Sequence, residues 1–341
     1  MRKISSFICA AISILLLSSS VWAASDGATK FTFSIWQQPD HYMVKAIRAW
    51  AADVEKRTNG KVTIEFYYGD TLTKGTQAYD GVVKGISDMA AAATGWNPGR
   101  FPLTRITDIP LGWTSSRQAG HVTWDYFTKF KPKEWDQTHV LFFFTDAIGE
   151  LHTKKPVARL SDLKGMTLRG TGSDVPLIKA MGATPVGMPW SEVYLSLQRG
   201  IVQGLISNYA SFESAKLTEV TGYTTKHNVR SAGFWVVMNK NKWNALSPDV
   251  KKAIDEASEA AVDSVGKALD DAQLVALKAM LAKGDKIITP TKEDAAQFDQ
   301  VLSPIINDWL KEMDAKHLPG KEVLDFVKKA MEKYKDYSPP S

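Results

Sequence analysis

Between Pro248 and Lys283 the chain contains no proline, and its apolar residues recur at helical spacing: Val250, Ile254, Ala257, Ala261, Val265, Leu269, Leu277 and Leu281. Ser247 and Pro248 supply an N-cap residue and a proline at the first helical position. At 1.5 Å per residue the run spans roughly 55 Å, longer than one small α/β unit requires. The segment either bridges two units or breaks near Gly266, and bridging is the favoured expectation.

The residues before this helix alternate between two periods. Residues 31–35 read as a strand and are followed by a polar loop holding Trp36 and His41. A helical stretch over 43–57 stops at Asn59 and Gly60, and 62–66 reads as the next strand. A helix from about Thr76 ends at Gly85, and 88–93 form a short apolar strand. Further strands are expected at 140–144 and 165–169, and a helix over 191–199 is stopped by Gly200. The order β-α-β-α-β predicts a mainly parallel α/β sheet. Lys84-Gly85-Ile86 and Arg199-Gly200-Ile201 each close a helix and open a strand, which fits two lobes of similar construction. Trp50, Trp124 and Trp309, on helical stretches, are expected to pack the cores.

Of 341 residues, 44% are apolar and 23% charged, as in a folded chain long enough for two domains. The formal net charge is +5. It carries no clustered basic stripe, so nucleic acid is an unexpected partner. Arg2 and Lys3, an apolar stretch over 4–17 and Val21-Trp22-Ala23 read as a signal peptide cleaved after Ala23. Its apolar part falls short of the ~20 residues needed to span a bilayer. Cys9, the single cysteine, lies within it, so thiol, disulfide and cysteine-based metal chemistry are not expected of the mature protein.

Motifs of catalysis are missing: the chain has no nucleophile elbow, no P-loop and no zinc-protease helix. Gly170-Thr171-Gly172-Ser173 lacks the third glycine of a dinucleotide fingerprint and reads as a flexible turn. His41, His121, His139, His152, His227 and His317 do not fall at metal-ligand spacing. No catalytic residue, metal or cofactor is expected, and an exported α/β chain of this kind points to binding.

Several segments, in order along the chain, resemble the solute-binding receptors (DctP type) of tripartite ATP-independent periplasmic (TRAP) transporters. Gly81 through Met89, with Phe101-Pro102-Leu103 and Ile109-Pro110-Leu111, is similar to the first-lobe signature. Leu163 through Arg169 resembles the second-lobe strand that carries the family's anion-binding arginine. Met188-Pro189-Trp190-Ser191-Glu192-Val193-Tyr194, continuing to Gly204, is the most specific stretch. The likeness extends through Lys226-His227, Met238-Asn239 and 243–248.

The resemblance implies a two-lobed receptor with hinge strands and a lobe-spanning helix, closing on a small organic anion and passing it to the small and large membrane subunits of an ion-driven permease. It implies residues 24–146 with 234–274 as lobe I, 147–233 with 275–341 as lobe II, and a monomer in the periplasm. Arg169 is carried over as the anion site, where a guanidinium fork matches two oxygens of a carboxylate or sulfonate. Trp190 aligns with a wall of the pocket. Well-studied members often carry a second arginine about twenty residues earlier; this chain has Gly149 at the aligned place. Glu150 and His152 are therefore candidates to contact a hydroxyl or amine of the cargo. The family's asparagine aligns with Ser207, and Asn208 follows it, so both are candidates. Trp36 and Trp96, in loops after strands, are candidate pocket walls.

A single placed arginine predicts a monocarboxylate, or a small sulfonate such as isethionate, as cargo. The alternatives are a receptor of an ATP-driven importer and an exported enzyme acting on organic acids.

Overall fold

A computed structural model describes residues 28–337. The signal-peptide segment, with Cys9, lies outside the described residues. The alternation expected from the sequence is present. Strand β1 (Thr29–Ser34) leads to helix α1 (Tyr42–Arg57), β2 (Val62–Tyr67), α2 (Ala78–Val83) and β3 (Met89–Ala93). Then come α3 (Ser116–Phe130) and a long strand, β4 (Thr138–Thr153). The second run comprises β5 (Thr167–Arg169), α4 (Asp174–Ala180), β6 (Thr184–Val186), α5 (Val193–Gln198), β7 (Gly204–Ser207) and α6 (Tyr209–Ser214). A second long strand, β8 (Tyr223–Asn239), precedes α7 (Lys240–Asn244) and α8 (Pro248–Ala282). The described chain closes with β9 (Lys286–Ile288), α9 (Lys292–Leu302), α10 (Pro304–Ala315) and α11 (Gly320–Lys333).

All nine of these strands join in the order β2-β1-β3-β8-β4-β7-β5-β6, with β9 added to β8. The β1–β2, β1–β3, β5–β6 and β5–β7 pairs are parallel, as crossover helices require. Strands β4 and β8 are antiparallel to each other and serve both halves of the sheet. Residues 234–239 of β8 pair with β3 and the start of β4, while 223–225 pair with the end of β4 and with β9. Register shifts between Asp146 and Gly149 and between Gly149 and Leu151 mark the crossing. Bulges at that place bend and twist the strand pair, and so set the relative direction of the two halves.

Helix α8 runs unbroken through Gly266. Ala257, Ala261, Val265 and Leu269 bury against Phe33, Trp50 and Phe142 of the first half. Met280 buries against Leu197 and Phe212 of the second. The helix therefore bridges, as expected. Gly266 does not break it; a Cβ there would lie 2.7 Å from the Arg117 Cα, so the glycine admits the start of α3. Ser247 precedes the helix, but its side chain makes no capping hydrogen bond.

Residues 304–333, grouped by the sequence reading with the second lobe, pack on the first. Trp309, Met313, Val323 and Val327 form one core with Ile106, Val122 and Tyr126. The preceding α9 stays with the second half through Phe298 and Leu302. The amphipathic pattern of α10 and α11 establishes that they must bury one face, and only tertiary structure selects which. Trp50 and Trp309 are buried as expected, and Trp124 packs at the edge of the first-half cores.

Candidate functional site

The carboxyl ends of β1, β3, β5 and β7 converge on one cleft, and β4 and β8 cross behind it. This is where an open α/β sheet places ligands, because the loops leaving parallel strands diverge there. Arg169, Trp190, Ser207, Asn208, Trp96 and Trp36 all line it, so six of the residues chosen from sequence come together.

One wall is aromatic. Trp36 stacks on Phe234 at 5.4 Å between ring centres and 8° between planes. Trp96 meets Trp36 edge-on at 4.9 Å. Gly75 makes room for this pair, since a Cβ there would come within 2.5 Å of the Trp96 ring. Flat apolar faces of this kind hold a ring or a short carbon skeleton without polar contacts.

The opposite side is cationic. Arg169 ends β5 and is only 9% exposed. Its guanidinium lies 5.5 Å from the centre of the Trp190 ring, and Nη2 donates to the Met188 carbonyl at 3.3 Å. Its buried Nε has no hydrogen-bond partner among the described residues. Burial lowers the basicity of Arg169; Asp174 opposes this and Arg230 adds to it. The Asp174 carboxylate stands 3.8 Å from Arg169 Nη1 and accepts from Arg230 Nε at 2.5 Å.

A third side is polar and braced from within. Tyr42 donates to Asp146 at 2.7 Å, and the Asn208 amide donates to the other carboxylate oxygen. Burial, and then the charge of Asp146, push the Tyr42 hydroxyl well above its ordinary range. Asn208 also caps α6, accepting from the Ser211 backbone at 2.8 Å, and accepts from Gln273 of α8 at 3.1 Å. Of the two candidates after Gly204, both reach the cleft, but Asn208 is already committed to this network. Among the described residues the Ser207 hydroxyl makes only a 3.4 Å contact, to the Asn208 carbonyl.

The two halves also touch across the cleft mouth. Ser173 donates to Asp108 at 2.8 Å. A Cβ on Gly172, whose φ is +53°, would lie 2.3 Å from the Gly95 carbonyl oxygen. The stretch read from sequence as a flexible turn is thus an interlobe contact. Asp108 also accepts from the Gly233 backbone at 2.8 Å and from Thr94, while burial raises its pKa.

Two expected contacts are corrected. Glu150 faces away from the cleft, buried, and accepts from the His227 and Asn228 backbones at 2.7 and 2.9 Å. Burial pushes its carboxyl up to about 7. His152 lies 2.8 Å from Thr224 Oγ1 and 3.0 Å from the Ser207 carbonyl, and stacks on Phe212 at 3.9 Å. Burial pushes it down to about 3. The cause is the two-residue period of a strand: Gly149 lines the cleft, so Glu150 and His152 point to the other face. The expectation of one arginine is also revised, because Arg230 lines the cleft. No local motif marks it; its place follows from the pairing of β8 with β4.

The sequence profile of the bacterial extracellular solute-binding protein family 7, DctP, matches residues 33–312. The chain belongs to this family. Among its curated relatives is the C4-dicarboxylate-binding periplasmic protein DctP of Rhodobacter capsulatus, 25% identical over 289 residues, or 83% of this chain and 87% of that protein. A TRAP periplasmic solute-binding protein from Desulfovibrio salexigens matches with a TM-score of 0.83 at 33% identity, over 89% of this chain and 96% of that one. A TRAP solute-binding protein from a marine metagenome, specific for aromatic acid ligands and solved with 3-hydroxybenzoate, matches with a TM-score of 0.85 at 27% identity, over 90% of this chain and 99% of that one. The DctP family consists of solute-binding receptors. The resemblance to TRAP receptors, and the two-lobed α/β architecture it implied, are borne out. Among the described residues no helix is long and apolar enough to cross a membrane.

Proposed function

We propose that this chain is the periplasmic receptor of a TRAP transporter, that it captures a small organic monoanion in the interlobe cleft, and that it delivers this cargo to the small and large permease subunits. The observation that carries the reading is the buried Arg169 guanidinium, with an unpartnered Nε, at the cationic end of a cleft walled by Trp36, Trp96, Trp190 and Phe234. Its fork matches a carboxylate or a sulfonate, and the low dielectric of a closed cleft strengthens that pairing.

The aromatic walls favour a ring-bearing acid, and the aromatic-acid receptor from the marine metagenome supports that direction. A two- or three-carbon acid, isethionate included, is the second reading, because the same rings narrow the cleft around a short skeleton. Cargo that touches Arg169 on one lobe and Trp36 or Trp96 on the other favours the closed state selectively.

A thermal-shift screen of the mature protein against benzoates, short hydroxy acids, C4-dicarboxylates and small sulfonates tests the reading, since a ligand bound only by the native state raises Tm. The largest shift is expected from an aromatic monocarboxylate. The strongest shift from a C4-dicarboxylate would overturn the monoanion reading, and the strongest shift from isethionate would select the second.

A further inference from the structure

We infer that Asp174 sets the charge of the cargo that the cleft accepts; the inference rests on the reading that Arg169 holds the cargo's anionic group. Two guanidinium groups line the cleft, yet Asp174 occupies one and leans on the other. It accepts from Arg230 Nε at 2.5 Å and lies 3.8 Å from Arg169 Nη1. The three side chains are 15%, 10% and 4% exposed for Arg230, Arg169 and Asp174, so water screens them little.

Within this triad two cations and one anion leave a single net positive charge. One carboxylate neutralises it. A second carboxylate beside the first would have to compete with Asp174 for Arg230, and an unmatched buried charge is strongly disfavoured. Asp108, which feels the charge of Arg230, and Asp146 also line the cleft; both are bound by donors of the protein itself, and these offer a second anion no cation. Asp174 thus makes a two-arginine cleft selective for monoanions. Replacing it with asparagine keeps the side-chain shape and one acceptor for Arg230, while raising the net charge of this end to two.

The experiment is titration calorimetry near neutral pH with benzoate and with phthalate, which adds a second carboxylate next to the first on the same ring. The steric difference between the probes is common to all variants, so the ratio of their affinities reports charge. In Asp174→Asn the phthalate-to-benzoate affinity ratio is expected to rise by about tenfold or more, since an extra uncompensated charge within a few ångströms acts twice on a dianion. In Asp174→Asn/Arg230→Gln the ratio is expected to return towards wild type. Arg230→Gln alone should weaken benzoate binding, because Asp174 then faces Arg169 unshared.

An unchanged ratio in Asp174→Asn, with a cooperative melt, overturns the inference, as does a double variant that keeps the raised ratio. Should Asp174→Asn fail to fold, Arg230→Gln and the double variant still decide: benzoate binding must fall in the first and recover in the second, and equal losses in both would reduce the triad to a brace. Arg169→Ala separates the two levels. If benzoate binds equally well without the guanidinium of Arg169, the anion site is misplaced. If binding is lost there but the ratio stays fixed in Asp174→Asn, only the role of Asp174 fails.

Discussion

Gly149 and Arg230 are register partners across β4 and β8, and a Cβ at position 149 would stand 3.5 Å from the Arg230 Cγ and 3.0 Å from the Ile206 Cγ2. The position at which the family resemblance implies an arginine is thus opposite the arginine that this chain brings to the cleft. A Cβ at 149 would crowd Ile206 and touch the stem of Arg230 at ordinary contact distance, so a long side chain there would compete with Arg230 for the cleft. The cation arrives from the neighbouring strand, and Asp174 fixes its direction.

Arg169→Ala is expected to weaken binding of the cargo by roughly 2–5 kcal/mol, the cost of truncating one member of a buried charged pair. Arg169→Lys should recover only part of this, because an ammonium lacks the planar fork. Calorimetry on the three proteins with benzoate checks both expectations, and tight binding by the alanine variant would place the anion site elsewhere.

Gly172→Ala should impair closure. The new methyl group would lie 2.3 Å from the Gly95 carbonyl oxygen, and the residue would have to keep a φ of +53°. With the lobes apart the methyl meets no such contact, so the steric cost falls on the closed state, while the left-handed backbone strain is common to both states. The expected outcome is weaker binding, with the Tm of the unliganded protein lowered only by the backbone strain of about 1 kcal/mol. Small-angle scattering should show a smaller ligand-induced contraction than in wild type; an equal contraction would refute the assignment of this contact to closure.

The pH dependence of stability follows from two buried groups with opposite signs. Glu150 has a folded pKa of about 7 against an ordinary 4.5, so between these values the folded chain keeps a proton that the unfolded chain has released. Its contribution is complete below about pH 4.5 and declines as pH rises to about 7. His152, pushed from 6.5 to about 3, contributes fully above pH 6.5 and progressively less as pH falls towards 3. Glu150→Gln removes only the first effect. Tm of this variant relative to wild type should therefore rise between pH 4.5 and pH 7, and a flat difference would mean that Glu150 ionises as an exposed carboxyl does.

Gly266→Val should destabilise the protein by about 1–3 kcal/mol, because the added atoms meet the backbone of Arg117 rather than a movable side chain. The helix propensity of valine, better than that of glycine by a few tenths of a kcal/mol, offsets little of this. Urea unfolding measures the loss. Affinity for cargo should stay at the wild-type level, since neither Gly266 nor Arg117 lines the cleft.

Glu150 and Trp36 show what residue order does and does not reveal about position: Trp36 lines the cleft and Glu150 does not. A local rule places Trp36: a strand over 31–35 ends, and the loop after it lies on the ligand side of a parallel sheet. Proximity in sequence to Gly149 makes Glu150 a candidate, but proximity carries no information about the pleat. A one-residue step along a strand reverses the face, and the register shifts around Gly149 hide the phase of the alternation from any reading of residue order.

The residue order by itself determined the alternation of strands and helices, the long helical run that starts at Pro248, and the positions of Arg169, Trp36, Trp96 and Trp190 at the ends of elements. Hydrophobic period, glycine stops and proline starts act over a few residues, so each is legible locally. Tertiary structure alone decided that Arg230 joins Arg169 around Asp174, that Glu150 and His152 turn from the cleft, and that α10 and α11 cover α3. These outcomes depend on which strand pairs with which, in what register, and on which of two apolar surfaces an amphipathic helix buries. Those choices are made by contacts between residues far apart in the chain, where hydrophobic burial is non-directional and only packing distinguishes the alternatives.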